Sequence, residues 1–107
     1  MIRVRFIYHD KQLAGYEMKG HADSGEYGHD IVCAAASVLA INTVNSLEKL
    51  AGVKPQVQAN AEEGGDLKVE LDRSMRDNSN ASLILETFKL GIESVASEYA
   101  KYIKIEH

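Results

Sequence analysis

Cys33 is the only cysteine in this chain, and His21 lies twelve residues before it. Both fall in one segment, GHADSGEYGHDIVCAAAS, running from Gly20 to Ser37. A thiolate is a strong nucleophile near neutral pH, and an imidazole beside it can take its proton and later hand one to a leaving amine. A thiol, an imidazole and a glycine-spaced loop between them are the minimum parts of a cysteine nucleophile site. Asp is a good N-cap, so the sequence predicts a helix starting at Asp30 with Cys33 in its first turn. There the unpaired amides and the helix dipole would favour thiolate and could hold an oxyanion. Asp30 opposes a second negative charge, and could instead orient His21. Ser37 lies four residues beyond Cys33, on the same helix face.

Each feature has a plainer reading. A cysteine among alanines on an apolar helix is commonly a small buried hydrophobe. A loop histidine is commonly solvated, and Gly20, Gly25 and Gly28 can serve as turn residues. Metal is a third option, with His21, His29 and Cys33 as ligands. Their spacing matches no common zinc pattern, so no metal is expected. His9 and His107 have no motif around them.

The elements that must position these residues follow from periodicity. Residues 2–9 alternate, with Ile2, Val4, Phe6 and Tyr8 on one face and Arg3 and Arg5 on the other, as a half-buried strand does. Asp10-Lys11 suits a tight turn into a second strand over about 13–20. The helix from Asp30 is small or apolar on nearly every face and is expected to be covered on more than one side. Gly52 and Pro55 mark its exit. Residues 56–61 and 66–72 form a second hairpin, with Gly64-Gly65 at the turn. A second helix carries the stripe Ile84, Phe88, Gly91 or Ile92, Val95, Tyr99, and IKIEH offers a last short strand. The order β-β-α-β-β-α(-β) predicts a single α+β domain over 1–107, a two-layer sandwich with two helices on a largely antiparallel sheet.

The chain has 107 residues, 45% hydrophobic and 26% charged, with net charge -4 and a pI near 5.5. That length suits one domain with a real core. The charge points away from nucleic acid as a direct partner and toward a basic protein or peptide. One cysteine permits no internal disulfide, which suits a reducing cytoplasm. The N-terminus lacks an apolar signal region, and no stretch approaches the roughly 18 apolar residues of a membrane span.

The segment Gly20-His21-Ala22, then Gly28-His29-Asp30-Ile31-Val32-Cys33-Ala34, then Ser37 resembles the ribosomal-processing cysteine protease family Prp. The resemblance fixes residue types and spacing across both the His and Cys elements. It implies a bacterial cysteine endopeptidase that removes an N-terminal extension from large-subunit ribosomal protein number twenty-seven, cutting after an aromatic pair. It makes Cys33 the nucleophile and His21 the general base, with Asp30 and Ser37 in support, no cofactor, and a homodimer. On this reading a loop from Ala22 to His29, hinged at Gly20, Gly25 and Gly28, opens for the peptide, and Tyr27 meets its aromatic side chains. The rivals are a non-enzymatic ribosome-associated binding module with a buried cysteine, and another thiol enzyme such as an acyltransferase or thioesterase.

Overall fold

Strict alternation drives the first two segments into a hairpin. In the computed structural model they are β1 (Ile2–His9) and β2 (Gln12–Lys19). Asp10 and Lys11, with φ of 52° and 66°, make the turn between them. Then come α1 (Tyr27–Lys49), β3 (Gln56–Asn60), β4 (Asp66–Glu70), α2 (Ser79–Glu98) and β5 (Ile103–Glu106). The structure describes residues 1–20, 27–60 and 66–107, with side chains for 1–20, 30–59 and 66–107. The Gly64-Gly65 turn lies outside the described residues.

The sheet order is β3-β4-β2-β1-β5. Three of its pairings are antiparallel, as expected, but β5 joins β1 in parallel, so the sheet is mixed. The cause is the helix before it. Each helix reverses the chain, so the following strand runs parallel to the strand that precedes the helix. β3 is thus parallel to β2, and β5 to β4, with other strands filling the gaps between them.

Both helices cover one face of the sheet. Ile2, Val4, Tyr16, Met18, Val69 and Ile103 point into that layer and are buried. Tyr16 is central. Its ring stacks on Phe88 of α2 with centroids 3.9 Å apart, and its hydroxyl donates to the Ala40 carbonyl of α1 at 2.8 Å. Burial pushes that hydroxyl well above the ordinary tyrosine range, so it stays protonated and keeps donating. Asn78 caps α2, accepting from the Ala81 amide at 2.9 Å and donating to the Ala51 carbonyl at 3.0 Å. It ties the start of α2 to the end of α1. The buried stripe of α2 is Ala81, Leu85, Phe88 and Ile92. Sequence periodicity finds Phe88 and offers Ile92, but runs the ends of the stripe through Ile84 and Tyr99. Ile84 is only partly buried and Tyr99 is 39% exposed.

Gly15 has a steric role. A Cβ there would lie 2.2 Å from the Val69 carbonyl oxygen and 2.8 Å from Glu70 Cα, both backbone atoms that a rotamer change cannot move. Gly15→Ala must therefore open the β2–β4 ladder. The expected cost is about 3 kcal/mol, the upper end of overpacking penalties. Urea denaturation checks it; an unchanged midpoint would show that the ladder yields freely.

Two expectations about α1 need correction. The helix begins at Tyr27, three residues before the predicted start, so Asp30 lies inside the first turn and is not the N-cap. A carboxylate is still favourable there, because it faces the positive end of the helix dipole. The helix is covered by the sheet and, through Leu39, by α2, but its outer face is left open, so it is less enclosed than its composition suggests. Val32, Ala36, Ala40, Thr43 and Leu47 are buried against the sheet, whereas Val38 is 65% and Ile41 58% exposed. By length and composition Asp30–Lys49 is apolar enough to cross a membrane, against the sequence expectation. Its buried stripe instead makes it a core helix of the sandwich.

Candidate active site

The site is built at the end of the sheet where β2 delivers the chain to α1. Gly20 closes β2 with φ of 77°, a left-handed conformation that glycine adopts without strain. His21 is the next residue. His21 and Gly25, with the rest of 21–26, lie outside the described residues, as do the side chains of 27–29. Tyr27 and Gly28, expected in the loop, belong to the first turn of α1. Any moving loop here is therefore shorter than the sequence suggests.

Asp30, Cys33 and Ser37 are spaced i, i+3, i+7, which places them on one flank of α1. Asp30 is exposed; Cys33 and Ser37 are half-buried, and Cys33 packs against the core cluster. The opposite flank faces α2, because Leu39 lies against Gly91. A cavity of about 230 Å³ between the helices, lined by Leu39, Thr43, Leu50, Ile84 and Phe88 among others, also lies on that opposite flank. The Tyr16–Ala40 bond sets α1 above β2, and α2 packs toward β1 and β5. The Cys33 flank is thus turned toward β4 and β3.

β3 is only thinly covered there. Val57 and Ala59 pair in register with Val69 and Leu67 on the helix side of the sheet, yet Val57 is 45% exposed and Ala59 is exposed. Sequence reasoning missed this exposed stretch on the helix side of the sheet. Alternation alone makes Val57 and Ala59 read as buried strand residues, and no local signal marks them otherwise.

The electrostatics differ from the sequence expectation. Cys33 is the seventh residue of α1, about two turns in. The dipole field acts mainly within the first turn, and amides beyond that turn are spent on intrahelical bonds. First-turn amides therefore do not reach this thiol as an oxyanion hole. The helix end also contributes little to thiolate formation at Cys33. No group of three or more metal-binding side chains occurs among the described residues.

Comparison with known proteins identifies the family. The family described as Cysteine protease Prp matches residues 1–104. The Ribosomal processing cysteine protease Prp of Staphylococcus aureus is 35% identical over 109 residues, covering 100% of this chain and 99% of the relative. A Streptococcus mutans crystal structure superposes with a TM-score of 0.93 at 38% identity, over 99% of this chain and 92% of the other. The S. aureus protease, solved in complex with a substrate peptide, gives 0.87 at 33% identity, over 99% and 98%. A non-enzymatic binding module gives way to an enzyme on these matches, and the two-helix, five-strand α+β sandwich is the family's own. Matched by the family model over residues 1–104 and by a relative 35% identical along its whole length, this chain belongs to the Prp family of cysteine proteases.

Proposed function

We propose that the chain is a ribosomal-protein-processing endopeptidase whose nucleophile is Cys33 and whose general base is His21. The observation that carries this reading is the common flank of Asp30, Cys33 and Ser37, beside the strand end that leads directly into His21. In this mechanism the His21 imidazole takes the Cys33 proton. The thiolate then adds to the scissile carbonyl carbon, and the C–N bond breaks as the imidazolium protonates the departing amine. Water, deprotonated by His21, cleaves the resulting thioester and restores the thiol. Ser37 and Asp30, about one turn to either side of the thiol, are positioning residues. The substrate is the N-terminal extension of large-subunit ribosomal protein number twenty-seven, cut after an aromatic pair in the cytoplasm. The S. aureus relative's name and its substrate-peptide complex support a ribosomal peptide of this kind.

Mass spectrometry of a peptide spanning the extension and the mature start tests the proposal. A single cut after the aromatic pair is expected. An intact peptide with folded protein removes this substrate.

The working unit in this proposal is a homodimer. Ile31, Ala34, Val38, Ile41 and Asn45 recur at steps of three and four on the outer face of α1, opposite its buried stripe. A second copy of the same stripe covers it isologously. Val38→Glu is expected to give the monomer mass in sedimentation, and the wild type the dimer mass. Identical masses for the two would end this assignment.

A further inference from the structure

The open face of the sheet carries an arrangement that the protease chemistry does not use. Strand register sets Arg3 opposite Lys19 on one side and opposite Lys104 on the other. Three exposed cations thus stand side by side across β2, β1 and β5, with strands about 4.8 Å apart. The next row on the same face is built differently. There Lys68, Glu17, Arg5 and Glu106 alternate in sign, and Arg5 donates to Glu17 at 3.1 Å. Among the described residues no carboxylate pairs with Arg3, Lys19 or Lys104. Asp66, which follows the Met18–Leu67 pair on β4, borders the row only at its Lys19 end. Like charges directly opposite one another in a sheet destabilise it. One row of this face is neutralised and its neighbour is not.

We propose that this row docks the phosphate backbone of RNA, seating the enzyme beside the ribonucleoprotein that holds its substrate. The inference deepens the ribosomal reading above and rests on it for the biological setting. A straight line of cations suits successive phosphates, whose recognition needs charge and little else. A protein partner would need an aromatic or apolar centre to the patch. The row is flanked by Glu17, Arg5 and Glu106 on one side and by exposed Met1 beside Arg3 on the other, a single apolar side chain at the rim and not an apolar centre. The chain's net charge of -4 argues against nucleic acid for the molecule as a whole. It does not register that Arg3, Lys19 and Lys104, distant in sequence, are collected into one row.

The test is fluorescence anisotropy with a 5′-labelled single-stranded oligouridine, titrated with full-length protein over a salt series. Three phosphate contacts give a slope of log affinity against log salt of about -2, or roughly twenty-fold weakening from 50 to 200 mM. Arg3→Gln with Lys104→Gln is expected to reduce the slope to about -0.7. The double variant removes a like-charge pair, so its melting temperature should not fall. Its peptide cleavage should equal wild type. RNA binding that is absent in wild type, unchanged in the double variant, or matched by polyglutamate of equal length overturns the proposal. None of those results alters peptide cleavage, so failure here is distinct from failure of the protease assignment.

Discussion

Cys33→Ala is expected to lower peptide cleavage by at least about 10⁴-fold, the scale on which removing a covalent nucleophile acts. Cys33→Ser should be nearly as impaired, because a hydroxyl is ionised far less than a thiol at neutral pH. Neither change should unfold the protein, since Cys33 is small and only half-buried. Circular dichroism of each variant controls for that. The position of Cys33 two turns into α1 adds a second arm. With little help from the helix end, the proposed dyad leaves the ionisation to His21. His21→Ala should leave Cys33 with the few per cent thiolate of an ordinary cysteine at pH 7. Iodoacetamide should then label it about tenfold more slowly than wild type. An unchanged labelling rate would assign the activation to another group and overturn the dyad.

The largest loss of stability is expected from Phe88→Ala. Phe88 is buried, stacks on Tyr16 and meets Phe6 edge-on with centroids 6.1 Å apart. It joins α2 to β1 and β2 at the centre of the layer. Truncating a buried aromatic costs about 3–5 kcal/mol through lost transfer energy and the cavity left behind. Against a total stability of about 5–15 kcal/mol, that is a large share. A drop in melting temperature of about 15–30 °C follows for a domain near this size. Calorimetry decides it; a shift under about 5 °C would mean that the core refills the space. Below the transition, cleavage per folded molecule should persist, because Phe88 is on the opposite side of α1 from Cys33.

Much of this architecture was legible before any coordinates. The alternation of Ile2, Val4 and Phe6 against Arg3 and Arg5 made β1 readable, and the same logic found β3 and β4. The Gly-His-Ala and Asp-Ile-Val-Cys-Ala steps pointed to the family. What failed has specific causes. Asp30 looked like a cap because a good capping residue also suits a first turn, and Gly28 gave no stop signal strong enough to separate the two. The start of the α2 stripe slipped from Leu85 to Ile84 because Leu83, Ile84 and Leu85 are consecutive apolar residues, and only packing in the core selects Leu85. The parallel pairing of β5 depends on where a crossover helix lands, which no local pattern encodes. The rows on the open face depend on register across three strands, so neither composition nor net charge could show them.

The pairing of β1 with β5 also bears on the order in which the molecule is made. Ile2 bonds in register with Ile103, so β1 has its outer neighbour only after about a hundred intervening residues have been synthesised. The hairpin of β1 and β2 closes over a two-residue turn and can form early, whereas closing the long loop is entropically slow. Until residues 103–106 arrive, a strand that ends up in the sheet interior presents an unpaired edge of backbone donors and acceptors. The nascent chain is therefore most open to wrong pairing late in translation, and seating β5 is the event that removes this hazard.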